Sequence, residues 1–128
     1  MSIRLWRGLP FVQVELEHNG VTKILENVLL DTGSAGTVFN TLRLREMGVG
    51  FAPDDPVHKI RGVGGSEFVF SKRLDRINVQ NLELRDFDVE VSPMNYGIDM
   101  DGILGMDFLR VTRAIIDLDL LILRTSRA

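Results

Sequence analysis

One stretch of this sequence decides how the rest is read: VLLDTGS, at residues 28–34. Its three apolar residues are typical of a buried strand, and they lead directly into a carboxylate, a hydroxyl and a glycine. An acid at the end of a buried strand costs free energy unless it is hydrogen-bonded or has a function. Taken alone, however, Asp-Thr-Gly is more often an ordinary turn. Its meaning therefore depends on the residues around it.

The segments on either side of this stretch predict a hairpin and a helix. Alternating apolar residues within 10–30 are interrupted by Asn-Gly at positions 19 and 20. This dipeptide is the strongest short-range hairpin signal, because a type I′ turn needs positive φ at both central residues. Thr41–Met47 predicts a short helix, since Thr41 offers a capping hydroxyl and Gly48 follows good helix formers.

The rest of the chain predicts strands with few helices. Residues 57–79 form a long hairpin in this interpretation, with a flexible, glycine-rich tip at residues 62–66. Shorter elements complete the pattern: strands at 37–40, 84–91 and within 111–125, and a short helix or turn at 103–110. We therefore expect a single all-β domain over residues 1–128, with one or two short helices.

Composition excludes several other classes of protein. The chain has 128 residues, 45% of them hydrophobic, and a net charge of −3 from 15 basic and 18 acidic side chains. This length suits one packed core, and interspersed charges do not favour nucleic acid or anionic lipid as partners. The absence of cysteine excludes disulfides and thiolate metal sites. No segment is apolar for long enough to predict a membrane span or a signal peptide, so the expected location is cytoplasmic.

The order of these features is more informative than any one of them. A hydrophobic hairpin leads into Leu-Leu-Asp-Thr-Gly-Ser, a glycine-tipped hairpin follows, and DGILG at residues 101–105 precedes a short helix and a C-terminal strand. In that order the chain resembles the retropepsin-like aspartic proteases, from about Pro10 to Leu123. The resemblance implies a closed, barrel-like all-β fold and an aspartic-type endopeptidase.

The resemblance also assigns roles to individual residues. It implies that Asp31 is catalytic and that Thr32 and Gly33 shape the loop around it. The glycine-rich hairpin would be a mobile flap that closes over an extended peptide substrate, and the segment 103–105 would support the catalytic loop. The residues expected to contact substrate are Gly62, Val63, Gly64 and Gly65 at the flap tip, and Ile103.

Candidate walls of the substrate pockets are Val38, Val63 and Ile103, although each is equally consistent with plain core.

The sequence departs from the viral members of the family at one pair of positions. Those members carry an acid four residues after the catalytic Asp, which pairs with an Arg directly after the supporting glycine. Here the two positions hold Ala35 and Met106. Because both partners are absent together, the departure indicates a differently built support for the loop.

The implied chemistry requires a second chain. Two carboxyl groups must hold one water molecule, and one of these groups must be ionised while the other is protonated. This chain has a single Asp-Thr-Gly. The other acid pairs, Asp54-Asp55 and Asp99-Asp101, lie in polar, turn-like segments and are expected to be solvated. An active enzyme is therefore predicted to be a symmetric homodimer with one Asp31 per subunit, and it needs neither a metal nor another cofactor.

The terminal segments 2–6 and 118–124 are apolar and prone to form strands, so we expect them to build the dimer sheet. His18 and His58 have no acidic or thiol cluster near them in the sequence, and a metal or nucleophilic role is not expected for either.

The alternative to an enzyme is a protein with the same fold and no catalytic activity. It is a peptide-binding or dimerisation module in which two Asp31 loops never form a competent pair.

Overall fold

The computed structural model describes residues 2–62, 65–94 and 100–126, with the backbone alone between 58 and 62 and between 65 and 68. These residues are mostly strands. In chain order the elements are β1 (Arg4–Trp6), β2 (Leu9–His18), β3 (Val21–Leu30), β4 (Val38–Asn40), α1 (Thr41–Glu46), β5 (Val57–Gly62), β6 (Gly65–Val79), β7 (Leu82–Ser92), β8 (Gly102–Leu104), α2 (Met106–Val111), β9 (Ala114–Asp117) and β10 (Ile122–Thr125).

Six of the strands close into a barrel. Neighbouring strands pair in the order β2, β3, β8, β4, β7 and β6, and β6 returns to β2 where Leu16 lies opposite Ile77. The Arg76 side chain reinforces this closure, because it contacts the carboxylates of Glu15, Glu17 and Glu83. Strands β1 and β5 extend the sheet at its two ends, and the expectation of a closed, barrel-like β fold is confirmed.

The first hairpin forms as the sequence predicts. Asn19 and Gly20 adopt φ of 49° and 80°, the positive values that a type I′ turn requires, and they join β2 to β3. The ladder brings Phe11 opposite Leu29 and Val12 opposite Val28. This pairing delivers the end of β3, and the residues that follow it, to one end of the barrel.

The core fills the barrel and extends beneath α1 and α2. Its largest fully buried side chains belong to both helices and to most barrel strands, and the following are among them: Phe11, Leu16, Leu25, Phe39, Leu44, Leu74, Ile77, Leu104 and Phe108. Leu44 and Phe108 anchor the two short helices to this core. No helix in the described part of the chain is long and apolar enough to cross a membrane.

The predicted helix or turn at 103–110 is wrong at its beginning. Ile103 and Leu104 lie in strand β8, which runs parallel to β3 and antiparallel to β4, and the helix begins at Met106. Gly102 permits this placement, since a Cβ there would lie 2.6 Å from the Phe39 ring. A strand of three residues is too short to show a period of two in the sequence, so pattern alone could not identify it.

The two terminal segments already contact each other within one chain. The Ile3 N–H donates to the Leu121 carbonyl at 3.0 Å, and the Leu123 N–H donates to the Ser2 hydroxyl at 2.6 Å. Ile3 and Leu123 are buried in the core. Part of the apolar surface that the sequence assigns to a dimer sheet is therefore covered within the chain itself.

Candidate active site

Asp31 lies directly after β3, at the end of the barrel, and is half-buried in the single chain. Its backbone N–H continues the ladder by donating to the Leu104 carbonyl at 3.1 Å. The carboxylate Oδ1 accepts the Gly33 N–H at 2.9 Å, and the Asp31 carbonyl accepts the Ser34 N–H at 3.2 Å. These bonds form a tight turn that presents the carboxylate at the surface in a fixed orientation.

The turn between β8 and α2 holds the next part of this loop. The Met106 N–H donates to the Ser34 carbonyl at 2.8 Å, and the Asp107 N–H donates to the Ala35 carbonyl at 3.2 Å. Both donors belong to the first turn of α2, where backbone N–H groups have no partner within the helix. Gly105 allows the close approach, because a Cβ there would lie 2.3 Å from the Gly36 carbonyl oxygen.

A buried threonine completes the support of the loop. The Thr37 hydroxyl donates to Asp107 Oδ1 at 2.7 Å and accepts the Gly105 N–H at 3.0 Å. Sequence reasoning missed this pair. The available signal was an acid two residues after the supporting glycine, in the first turn of a helix. The positions that pair in the viral proteins, Ala35 and Met106, contribute here through their backbone groups instead.

The predicted supporting segment and two of the predicted pocket walls lie next to the Asp31 loop. In the ladder, Ile103 lies between Leu29 of β3 and Val38 of β4. Ile103 and Val38 are half-buried, whereas Leu104 is fully buried. The alternation along β8 thus places Leu104 in the core and leaves Ile103 with exposed surface, as a pocket wall would require.

The glycine-rich hairpin has the expected form. Strands β5 and β6 pair antiparallel from Val57 opposite Phe70 to Gly62 opposite Gly65, so both glycines belong to the ladder, and the predicted loop at 62–66 is shorter than expected. Val63 and Gly64 lie outside the described residues. The expected flap contacts of these glycines and of Val63 with substrate stay predictions.

Thr32 is exposed and borders a cavity of about 370 Å³ beside the Asp31 loop. The other lining residues come from α2 and the segment after it: Met106, Leu109, Arg110, Arg113, Ala114 and Ile116. This concave surface lies open next to the candidate catalytic loop.

The prediction that Asp101 is solvated is wrong. Its side chain and backbone together are 8% exposed. Oδ2 accepts the Asn27 backbone N–H at 3.0 Å, and Oδ1 lies 3.7 Å from Nε of Arg43. The carboxylate therefore joins β3 to the start of β8. Asp99 lies outside the described residues.

Asp55 is also not a freely solvated acid. Its Oδ2 accepts the Ala52 N–H at 2.7 Å and the Lys72 ammonium at 2.9 Å. Burial raises the pKa of Asp55, but the hydrogen bonds from Ala52 and Lys72 and the charge of Lys72 together hold it below its usual value. This ion pair fastens the turn before β5 to β6, at the base of the glycine-rich hairpin. Asp54 is exposed, as expected.

His18 lies at the turn end of the first hairpin, whereas Asp31 follows the other end of β3. His18 Nδ1 lies 3.6 Å from Asp75 Oδ1, near the turn between β2 and β3. The side chain of His58 lies outside the described residues. Among the residues that the structure describes, no three His, Asp or Glu side chains come together in a way that could hold a metal ion.

The comparisons with known proteins agree with this geometry. A family model for aspartyl proteases matches residues 12–108. The chain belongs to the aspartyl protease family. Its structure is similar to the crystal structure of a retropepsin-like aspartic protease from Rickettsia conorii, with a TM-score of 0.66 and 16% sequence identity over 91% of this chain and 90% of that one. The retropepsin-like fold expected from the sequence is confirmed. A search of curated proteins found no match.

Proposed function

We propose that this protein is an aspartic endopeptidase that cleaves peptide bonds with two Asp31 carboxylates, one from each subunit of a homodimer. The observation that carries the proposal is the Asp31 loop itself. In a chain of the aspartyl protease family, its carboxylate stands at the end of a barrel strand, is oriented by the Gly33 N–H and retains exposed surface. A loop held in this way is preorganised for chemistry.

The proposed reaction uses water and no cofactor. The ionised Asp31 takes a proton from the water molecule as the water oxygen attacks the scissile carbonyl carbon. At the same time the protonated Asp31 of the other subunit donates its proton to the carbonyl oxygen. Collapse of the resulting diol breaks the carbon–nitrogen bond. The amine leaves with the proton that the first Asp31 took from the water, while the carboxylate of the other Asp31 takes a proton from a hydroxyl of the diol, so that one carboxyl and one carboxylate remain.

Such a pair would share a single proton. Two carboxylates about 3 Å apart repel each other by about 5 kcal/mol at an effective dielectric of about 20, so both do not ionise together. Activity should therefore follow a bell-shaped pH profile with its maximum at acid to neutral pH. A flat profile, or a maximum above about pH 8, would contradict this mechanism.

The proposed dimer surface surrounds the Thr32 cavity and the chain termini. Large apolar side chains remain exposed there, among them Trp6 at 41%, Leu118 at 68% and Leu120 at 58%. In the proposed dimer the second copy would cover these side chains, which a large contiguous apolar patch would require. A second copy placed on the cavity would bring its own Thr32 and Asp31 loop to the two-fold axis, as symmetry requires.

The proposed substrate is an extended peptide. It would lie between the Asp31 loop and the glycine-rich hairpin and pair with backbone groups as an added strand, so that affinity comes from the main chain. Gly62, Val63, Gly64 and Gly65 would cover it from the flap, and Ile103 would contact its side chains from below. Closure of the flap would exclude water from the two carboxylates.

One observation favours the alternative, a binding module without catalysis. The two terminal segments already bury part of their apolar surface within a single chain, because Ile3 and Leu123 lie in the core. Each of them also donates its backbone N–H to the other segment, Ile3 to the Leu121 carbonyl and Leu123 to the Ser2 hydroxyl. A chain that covers part of its terminal apolar surface without a partner is able to remain monomeric. Mass measured at micromolar concentration distinguishes the two, since a strict monomer has no pair of carboxylates.

The test is cleavage of an unbiased peptide mixture between about pH 4 and pH 7, followed by mass spectrometry. Wild type is compared with Asp31→Asn, which keeps the shape of the side chain and removes proton transfer, and with Asp54→Asn, which makes the same change at an exposed acid. We expect cleavage by wild type and Asp54→Asn only, with specific activity rising with enzyme concentration. Cleavage by Asp31→Asn would refute the proposal, and so would a stable wild-type dimer without activity.

A further inference from the structure

The support of the Asp31 loop contains a carboxylate that the proposed reaction does not use. Asp107 lies in the first turn of α2, and both of its oxygens face Thr37. We propose that Asp107, acting through Thr37, is a positioning residue that fixes the Asp31 loop in its reactive geometry. This inference rests on the proposed function, and we call the pair the Thr37–Asp107 clamp.

The hydrogen-bond directions in the clamp are determined by its donors. The Gly105 N–H can only donate, so the Thr37 oxygen accepts there at 3.0 Å and its single proton is directed to Asp107 Oδ1 at 2.7 Å. Thr37 is fully buried. One side chain therefore ties the far end of the loop to both sides of the turn between β8 and α2.

The clamp requires a carboxylate rather than an amide. Oδ1 of Asp107 accepts the Thr37 hydroxyl and the Phe108 N–H, the latter at 2.7 Å, and Oδ2 accepts the Thr37 N–H at 3.2 Å. Three donors converge on two acceptor oxygens. In asparagine one of those oxygens becomes an NH₂ group, which places donor against donor in either orientation of the amide.

Loss of the clamp should displace the loop without unfolding the barrel. The Asp31 end of the loop stays attached by its N–H to the Leu104 carbonyl, and Ser34 stays attached to Met106. The Thr37 carbonyl also keeps the hydrogen bond from the Glu90 N–H at 3.0 Å, so what is lost is the tie between Thr37 and the turn that joins β8 to α2. Because a displacement of about 1 Å at reacting groups costs about 100-fold in rate, the loss should appear in kcat. KM should change little, since Ile103 and the flap are not part of the clamp.

Two pairs of variants test this inference with the peptide found in the cleavage assay. Thr37→Val keeps the shape and removes the hydroxyl, whereas Thr37→Ser keeps the hydroxyl; Asp107→Asn is matched by Asp54→Asn at an exposed acid. Per folded dimer, well below the melting temperature, we expect Thr37→Val and Asp107→Asn to lower kcat by about 10- to 100-fold. KM should stay within about threefold, and Thr37→Ser and Asp54→Asn should match wild type.

The other outcomes separate this inference from the proposed function. An active wild type that depends on Asp31, with unchanged kcat in folded Asp107→Asn, refutes the positioning role alone. A higher KM at constant kcat also refutes it, because the clamp would then act on binding. Failure of both Thr37→Val and Asp107→Asn to fold would assign the clamp to folding and overturn the inference. An inactive wild type refutes the proposed function and this inference together.

Discussion

Replacement of Gly105 by alanine measures how closely the candidate catalytic loop is packed. A Cβ at this position would lie 2.3 Å from the Gly36 carbonyl oxygen, 2.6 Å from the Gly36 carbonyl carbon and 3.0 Å from the Ser34 carbonyl oxygen. Non-bonded heavy atoms prefer separations of about 3.5 to 4.0 Å. All three neighbours are backbone atoms, so no side-chain rotation relieves the contact, and the loop must move by about 1 Å.

The cost follows from the bonds that such a movement breaks. The Met106 N–H to Ser34 bond of 2.8 Å and the Asp107 N–H to Ala35 bond of 3.2 Å would lengthen beyond hydrogen-bonding distance. Their loss costs about 2 kcal/mol, and over-packing adds about 1 to 3 kcal/mol. We therefore expect Gly105→Ala to lower the free energy of unfolding by about 4 kcal/mol and the melting temperature by about 15 °C.

Thermal and urea unfolding measure this effect, and Gly36→Ala is its matched control. A Cβ at Gly36 would meet nothing within 4 Å, although this residue lies on the other side of the same contact. Gly36→Ala should melt within about 3 °C of wild type. If Gly105→Ala also melted within that range, the close packing of the loop against the turn between β8 and α2 would be refuted.

Two further predictions concern the base of the flap and the proposed dimer surface. The Ala52 N–H and Lys72 hold the pKa of Asp55 below its usual value despite burial. The Asp55 carboxylate therefore stabilises the fold at pH values above its unfolded-state pKa. This contribution is lost as the pH falls through the folded-state pKa. In urea unfolding, Asp55→Asn should therefore be less stable than wild type near pH 7 and converge with it toward about pH 3; a difference independent of pH contradicts this. Leu118→Glu should weaken the dimer at least about tenfold in sedimentation, whereas Leu42→Glu, a change at a residue 56% exposed on α1, should not; equal effects would contradict the proposed surface.

Local signals were sufficient for much of the fold. The hairpin at 10–30 was predictable because Asn19 and Gly20 readily adopt the positive φ that a type I′ turn requires. The helix that begins at Thr41 was predictable from its residue types and from Gly48. The Asn40 side chain, rather than Thr41, caps that helix by accepting the Leu42 N–H. A cap shifted by one residue depends on the strand before the helix, which propensity does not determine.

The errors lie where contacts distant in sequence decide the environment. Asp101 and Asp55 look like turn acids, but Asn27, Arg43 and Lys72 bury and pair them. Their partners are between 17 and 74 residues away in the sequence. The position of Asp31 was predictable because a strand of strongly apolar residues leads into it. The Thr37–Asp107 clamp was not, because 70 residues separate its two members.

The central claim is that two Asp31 carboxylates act in one site, and mixed dimers test it most directly. Wild type and Asp31→Asn are mixed at constant total concentration, allowed to exchange subunits, and assayed for cleavage of the peptide identified above. If both carboxylates are needed, activity follows the square of the wild-type fraction, so an equal mixture retains about one quarter of the wild-type activity. A linear dependence, with about half of the activity in that mixture, would show that each subunit acts alone and would contradict the account.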